Sequence, residues 1–242
     1  MTKIAICHWG LIRSFTDTYQ SHLKYIYNVL RDNNIEYDIY LHSWIHPSNK
    51  INDYTQFNFK KYQIDDQSEY IKTIDDNISE YWYKEVYEKY GLSLHEITQE
   101  GVKNCLYGIE SQKRVTQLCL SSGITYDYIL YLRPDCELFN NIPYELLNTM
   151  NNDSIIVLRE YWGGGDGIND IFAITPYNNC MMAFRIDEVK EYRKNIGPIQ
   201  PEYYNGYISK KYYKNIIYCD LKLKLRRLLE DVNNRSLFYH EC

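Results

Sequence analysis

Residues 3–44 read KIAICHWGLIRSFTDTYQSHLKYIYNVLRDNNIEYDIYLHSW and carry the pattern of a β–α–β unit. Lys3–Cys7 is a short apolar run that is typical of a buried parallel strand. Apolar residues then recur at helical spacing from about Thr16 to Asn33, and Glu36–Leu41 has the pattern of a second strand. Because two parallel strands joined by a helix make a right-handed crossover, this unit predicts a nucleotide-binding α/β fold.

The rest of the chain continues the alternation of strands and helices. We predict strands at Asp127–Leu132, Ile155–Leu158, Ile171–Thr175 and Ile216–Tyr218, and helices at Glu110–Leu120 and Pro143–Met150. Residues from about 45 to 100 have the composition of an insertion over the sheet edge, with a helix through Ile78–Tyr90. Residues 176–242 are predicted to be mostly helical, including a helix over Asp220–Val232. With no repeat or linker, we expect one α/β domain over residues 1–242 with a mainly parallel central sheet flanked by helices.

The composition excludes several classes of protein. The chain has 242 residues, of which 45% are hydrophobic and 24% charged, a balance typical of a globular domain that buries a full core. The net charge of −5 disfavours a nucleic-acid partner, which would require a basic face. Since there is no run of 18 apolar residues and no signal-like N-terminus, we expect a cytoplasmic protein, or one in the host cytoplasm if the source is viral. The 27 tyrosines fit AT-rich codon usage in a virus or low-GC bacterium.

Cysteine and histidine spacing gives no metal or disulfide motif. The seven cysteines include no C-x-x-C pair, so neither a disulfide framework nor a structural zinc site is expected. His42 and His46 are four residues apart, but they follow a strand-like run and precede Pro47. Helical ligand geometry, and with it a zinc pair, is therefore not expected there.

Polar residues follow three predicted strands, at Gly10–Arg13, His42–Trp44 and Arg133–Glu137. Ligands of α/β sheets bind outside the carboxyl ends of the strands. Asp135 and Glu137 directly follow an apolar strand, where carboxylates could bind a divalent cation that neutralises a diphosphate. The alternative is a simple turn in which Pro134 fixes the backbone.

A glycine cluster at Gly163–Gly167 carries Asp166 and Asp170 toward the same region. It has neither the spacing of the dinucleotide fingerprint nor a Gly-Lys-Ser/Thr sequence, and the residues after it are strand-like. A glycine-rich loop can approach a sugar or phosphate closely because it lacks side chains. A hairpin without any ligand remains the alternative.

The motifs in this order resemble a group of small viral and bacterial GT-A glycosyltransferases, which includes chlorovirus glycan-building enzymes and capsule-associated proteins. The resemblance extends over Lys3–Thr175 and rests on KIAI with GLIRSF, a strand ending LHSW, Ser111-Gln112, YDYILYLRPDCELF and GGGDGINDIFAI. It implies a GT-A fold, a UDP-, GDP- or dTDP-sugar donor, Mn²⁺ or Mg²⁺ as cofactor, and transfer of a hexose or deoxyhexose to a hydroxyl of a glycan acceptor.

The resemblance also implies roles for single residues. Asp135 stands at the D-x-D strand end as the metal and diphosphate carboxylate, but Arg133 replaces the first aspartate. Either Glu137 therefore assists at the metal, or the Arg133 guanidinium takes part of the diphosphate charge and metal dependence is weak. Asp166 and Asp170 match the acceptor loop, and Asp170 is the expected general base if the enzyme inverts. The expected nucleotide and donor contacts are Gly10, Leu11, Arg13, His42, Trp44 and Gln112, together with Arg133 and Asp135.

Two alternative functions remain compatible with the sequence. A catalytically inactive nucleotide-sugar or glycan-binding module would keep the fold, and the Arg133 departure leaves room for it. An S-adenosylmethionine-dependent methyltransferase fits less well, because the second strand ends without an acidic ribose contact.

The basic, leucine-rich segment Asp220–Val232 could contact an anionic membrane, although packing on the sheet is favoured. Arg226 or Arg227 could instead reach the diphosphate, and His240 could complete a metal site.

Overall fold

The computed structural model describes residues 1–45, 54, 57–82, 98–159 and 167–226. These residues contain nine strands: β1 Lys3–Trp9, β2 Glu36–Ile45, β3 Lys61–Asp66, β4 Tyr128–Leu132, β5 Cys136–Leu138, β6 Ser154–Arg159, β7 Ile168–Pro176, β8 Asn215–Cys219 and β9 Leu223–Leu225. Seven of them form the central sheet in the order β3-β2-β1-β4-β7-β6-β8. Neighbouring strands are parallel except at β7, which is antiparallel to both β4 and β6. The predicted α/β class with a mainly parallel sheet is confirmed.

Helices cover both faces of this sheet. They are α1 Phe15–His22, α2 Asn28–Asp32, α3 Gln67–Asp75, α4 Gln99–Leu120, α5 Val189–Asn195 and α6 Pro201–Tyr212, and a π-helical turn over Leu23–Tyr27 joins α1 to α2. Short 3-10 segments lie at Ile78–Glu80, Tyr144–Thr149, Tyr177–Asn179 and Met181–Glu188. None of the helices in the described ranges has the length and apolar character that crossing a membrane requires.

The two faces of β1 define the two halves of the core. Ala5, Cys7 and Trp9 pack in a cluster with α4, α5 and α6, whereas Ile4 and Ile6 pack in a second cluster with α1 and α2. This alternation follows from the two-residue period of a strand that is buried on both faces. The result is a three-layer arrangement whose central strands are buried on both sides.

The predicted insertion contributes to the sheet itself. Residues Tyr40–Ile45 of β2 pair with β3, so β2 continues past Leu41, where the sequence pattern predicted its end. His42 and Trp44 therefore lie inside a strand. Helix α4 is also longer than predicted, because the Thr98 side chain accepts the N–H of Gly101 at 3.0 Å and caps a helix that starts at Gln99.

The predicted helix over Asp220–Val232 is wrong in its described part. Residues 220–226 form no helical turn, and β9 within them pairs antiparallel with β5. Leu221, Leu223 and Leu225 alternate with lysines, which is the two-residue period of a strand and outweighs the helical spacing of the leucines. The amphipathic helix on which a membrane contact depended is thus not formed there, and residues 227–242, with Arg227 and His240, lie outside the described residues.

Candidate active site

Three chain segments converge at one edge of the central sheet. Gly10 follows β1, Arg133 follows β4, and Asp170 lies near the beginning of β7, whose antiparallel direction brings its first residues to this edge. The backbone N–H of Arg133 donates to the carbonyl of Ile171 at 3.3 Å, which fixes β4 beside β7. This is the edge where open α/β sheets bind ligands.

Two serines hold the loop that follows β1. Gly10 has a φ of +94°, a conformation that glycine adopts without strain. Its N–H donates to Ser111 Oγ at 2.8 Å, and the N–H of Ile12 donates to Ser43 Oγ at 3.2 Å. No described residue other than its chain neighbours lies within 4 Å of the position that a Cβ on Gly10 would occupy, although Gly10 itself is buried.

Ser111 also contacts His42, which lies beneath the loop. His42 Nδ1 lies 2.7 Å from Ser111 Oγ, and its Nε2 lies 3.1 Å from an oxygen of Asp65. Burial lowers the pKa of His42 to about 4, so the ring is neutral at pH 7. Because the Asp65 carboxylate only accepts, Nε2 carries the proton and donates to Asp65, while Nδ1 accepts from Ser111.

His42 and Trp44, both expected to contact the nucleotide, are buried. Their exposed fractions are 0% and 1%. Trp44 Nε1 donates to the carbonyl of Tyr107 at 3.1 Å, and the guanidinium of Arg114 lies 4.7 Å from its ring. These two side chains therefore support the loop from below and present no surface to a ligand.

Asp135 is held by Arg133 at the end of β4. Arg133 Nε donates to Oδ1 at 2.9 Å and Nη2 donates to Oδ2 at 2.7 Å, a bidentate pair, and Arg13 Nη2 lies 3.4 Å from Oδ2. Asp135 is fully buried. Although burial lowers the pKa of Arg133, the carboxylates of Asp135 and Asp170 more than offset this effect and raise it above its usual value. The structure thus brings Arg13, Arg133 and Asp135 together.

The C-terminal strand β9 lies directly beside these residues. The N–H of Arg226 donates to the carbonyl of Asp135 at 2.8 Å, and Ser14 Oγ donates to the carbonyl of Arg226 at 2.5 Å. The Arg226 side chain forms an ion pair with Glu137. Arg226, half-exposed, is therefore a third arginine at this edge.

The two carboxylates expected to bind Mn²⁺ or Mg²⁺ do not form a metal-ligand set. Both oxygens of Asp135 accept from Arg133, and Glu137 pairs with Arg226. In the described part of the chain, no three His, Cys, Asp or Glu side chains are grouped so as to hold a metal. The groups around Asp135 and Glu137 are the guanidinium groups of Arg13, Arg133 and Arg226, whose hydrogen-bond donors suit an anion.

Asp170 lies at the same edge, whereas Asp166 lies outside the described residues. Asp170 is half-buried, and its charge contributes to raising the pKa values of Arg133, Cys136 and Cys105. It is thus the described carboxylate near Arg133 that retains some exposure without an arginine bonded to it. Such a carboxylate can accept a proton from a bound hydroxyl.

Gln112 lies deeper than the sequence suggested. It is 3% exposed and accepts a hydrogen bond from Arg185, which is itself buried and also donates to the carbonyl of Met182 at 2.8 Å. Arg185 Nε has no partner in the described residues, and burial lowers its pKa. Gln112 thus anchors a buried guanidinium. Leu11, another expected donor contact, is partly buried and packs against the hydrophobic core.

Two further histidines stabilise the base of the site. His8 lies between the carbonyl of Leu132, at 3.0 Å, and the Tyr27 hydroxyl, at 2.9 Å, and burial lowers its pKa to about 4. His22 Nε2 donates to the carbonyl of Cys136 at 2.7 Å, and burial lowers its pKa to about 3. Both rings are neutral at pH 7 and hold the backbone on either side of Arg133.

The sequence analysis assigned no role to the supporting residues Ser111, Asp65 and Thr18. Thr18 Oγ1 donates to the carbonyl of Pro134 at 2.6 Å, which fixes the turn between Arg133 and Asp135 from helix α1. These contacts join residues 23 to 116 positions apart. A single sequence carries no signal for such pairs.

No family model matches the sequence, and no curated protein matches it. Solved structures similar to this chain include the glycosyltransferase GlyE of Streptococcus pneumoniae TIGR4, with 12% identity and a TM-score of 0.46 over 91% of this chain and 46% of that chain. Others are mouse xyloside xylosyltransferase 1, with 8% identity and a TM-score of 0.45 over 90% and 85%, and an active-site mutant of LgtC, with 11% identity and a TM-score of 0.48 over 90% and 73%.

The chain spans about half of the length of GlyE. Each of these similarities has a TM-score below 0.5 and an identity of at most 13%. The function is therefore argued from the residues of this chain.

Proposed function

We propose that this protein is a GT-A-type glycosyltransferase that moves a hexose or deoxyhexose from a nucleotide-sugar donor to a hydroxyl of a glycan acceptor. The observation that carries the proposal is the convergence of Gly10, Arg13, Arg133 and Asp170 at the ligand-binding edge of the sheet. A glycine turn, two guanidinium groups and a partly exposed carboxylate are groups that such a transfer can use. The order of the sequence motifs agrees with this function.

The donor diphosphate fits the arginine side of the edge. Guanidinium groups bind phosphate oxygens with charge-assisted hydrogen bonds, and Arg13 and Arg133 lie on the same carboxylate of Asp135. The absence of a side chain at Gly10 favours approach of the diphosphate or ribose to this loop. The same groups would stabilise the negative charge that develops on the leaving nucleoside diphosphate.

Asp170 fits the acceptor side. In an inverting transfer, the acceptor oxygen forms a bond to the anomeric carbon while the bond from that carbon to the diphosphate breaks, and the hydroxyl proton passes to a base. Asp170 is the proposed base because it is near Arg133 yet keeps part of its surface exposed. The nucleoside diphosphate then leaves with the electron pair.

A thermal-shift panel of UDP-, GDP-, dTDP- and CDP-sugars tests the proposal, with Mn²⁺ and with EDTA. A ligand that binds only the folded state raises the melting temperature, by an amount that grows with concentration over Kd. We expect one nucleotide class to raise it, whereas no shift with any class would overturn the proposal. A shift without any turnover would instead identify a nucleotide-sugar-binding module.

A further inference from the structure

The strand-end aspartate already has a full set of partners. Asp135 is 0% exposed, and Arg133 occupies both of its oxygens in a bidentate pair with distances of 2.9 and 2.7 Å. A divalent cation binds carboxylate oxygens at about 2.0–2.6 Å, so it would have to enter a fully buried position on a carboxylate that already accepts from Arg133 and Arg13. The energetic cost of burying a further positive charge beside two guanidinium groups opposes this.

Arg133 still has donors to offer. A guanidinium has five N–H donors, and the pair with Asp135 uses Nε and one N–H of Nη2. The described residues supply no hydrogen-bond partner for Nη1, and the side chain keeps 20% of its surface exposed. The Trp9 ring, 5.9 Å from the guanidinium carbon, packs beside it. Arg133 is thus oriented by Asp135 and Trp9, and the Nη1 edge of its guanidinium has no partner among the described residues.

The neighbouring charges support an anion at that edge. Arg13 lies on the same carboxylate, and Arg226 lies one strand away, tied by its backbone to Asp135. Glu137, the other candidate metal ligand, is paired with Arg226. Asp135 and Glu137, the two carboxylates expected to bind a metal, are therefore both paired with arginines.

We infer that Arg133 binds the donor diphosphate directly, that Asp135 is the positioning residue that holds Arg133, and that no divalent cation bridges the protein and the diphosphate. The inference rests on the proposed function and names how its donor is recognised. It exchanges the roles that the D-x-D pattern implied. Asp135 orients Arg133, and Arg133, at the first position of the motif, contacts the diphosphate.

Isothermal titration calorimetry with UDP, GDP, dTDP and CDP separates this inference from the proposed function. In EDTA, we expect one nucleotide to bind with a Kd that changes less than about twofold when Mn²⁺ replaces EDTA. Tightening of about tenfold or more by Mn²⁺ would overturn the inference and leave the proposed function standing. No binding of any nucleotide under either condition would contradict the proposed function itself.

Arg133→Lys tests the contact, since lysine keeps the charge and loses the planar fork. We expect the Kd of the bound nucleotide in EDTA to rise about tenfold or more. Arg31→Gln is the control, because Arg31 is an exposed residue of α2 that lies near the N-terminal end of β1. A wild-type Kd for Arg133→Lys would overturn the inference.

Asp135→Asn tests the positioning role. The inference predicts a weaker Kd that is the same in EDTA and in Mn²⁺. A variant that binds like the wild type in EDTA but loses a response to Mn²⁺ would identify Asp135 as a metal ligand and overturn the inference. If Asp135→Asn does not fold, the Mn²⁺ comparison and Arg133→Lys still decide the question.

Discussion

Ser111 Oγ accepts the amide N–H of Gly10 at 2.8 Å, although 101 residues separate them in the sequence. The bond ties helix α4 to the loop after β1, at the point where the backbone turns with φ of +94° toward Arg13. Through His42 the same hydroxyl is coupled to β2 and β3. The conformation of the proposed donor loop is thus set by elements outside it.

Ser111→Ala tests this coupling. Removal of the hydroxyl leaves the Gly10 N–H and His42 Nδ1 buried without a partner, which costs about 1–3 kcal/mol of unfolding free energy. We expect urea unfolding to show this loss and calorimetry to show weaker donor binding. Ser121→Ala, which removes an exposed bond at the end of α4, is the control and should change neither. An unchanged stability for Ser111→Ala would contradict the assigned coupling.

Gly10 and Gly123 make a matched pair. Both have positive φ, +94° and +73°, and neither has a described atom within 4 Å of a new Cβ. Alanine at either position should therefore cost about 1–2 kcal/mol through backbone strain alone. We expect Gly10→Ala also to weaken donor binding, whereas Gly123→Ala should leave it unchanged. Equal donor affinities for the two variants, measured by calorimetry, would place the donor away from Gly10.

Buried neutral histidines predict acid sensitivity. Burial lowers the pKa values of His8 and His42 from 6.5 to about 4, so each stabilises the fold fully above pH 6.5 and loses that contribution as the pH falls to about 4. The full loss is roughly 3 kcal/mol for each histidine. Urea unfolding at pH 7 and pH 5 measures the part of this loss that occurs above pH 5.

The pH range in which the free energy of unfolding falls distinguishes the histidines from the carboxylates. Although burial raises the pKa values of Asp38 and Asp65, hydrogen bonds and nearby cations outweigh it and hold both below 3.8, so their contributions are lost only at lower pH. We expect stability to fall already between pH 6.5 and pH 5. A free energy of unfolding that stays constant over this range would contradict the neutral, buried state of the histidines.

Asp170→Asn tests the proposed base. The amide keeps the shape but cannot take up the acceptor proton, and loss of a general base lowers turnover by roughly 10²–10⁴-fold. Donor Kd should stay close to the wild-type value, which calorimetry and a transfer assay together would show. Asp153→Asn, an exposed carboxylate paired with Lys214, is the control and should remain active. Full activity of Asp170→Asn would assign the proton to another group.

Local pattern predicted the central strands well. Lys3–Cys7 and Asp127–Leu132 are continuous apolar runs, and a strand buried on both faces needs little beyond such a run. The ends of the strands were harder to predict, because pairing with a neighbour determines them. β2 extends to Ile45 only because β3 pairs beside it, and β3 itself, KYQIDD, lies at an edge without an apolar pattern.

The site was predicted in position and not in detail. Gly10 and Arg133 follow from the rule that ligands bind at strand ends, and Asp170 follows from the glycine cluster and the family resemblance. The structure brings all three to one edge. The burial of His42 depends on contacts with residues distant in the sequence. The ion pair between Arg133 and Asp135 depends on the direction of their side chains. The spacing of two residues between Arg133 and Asp135 is the same for a metal clamp and for an ion pair.

Release of nucleoside diphosphate from the UDP-, GDP-, dTDP- and CDP-sugars shows whether this protein catalyses glycosyl transfer. The purified protein is incubated with each donor, with EDTA and with Mn²⁺, and the products are separated by chromatography and identified by mass spectrometry. Glycosyl transfer predicts slow release of one nucleoside diphosphate together with the free sugar, and none from the Asp170→Asn variant. Intact donors in every wild-type reaction would contradict it.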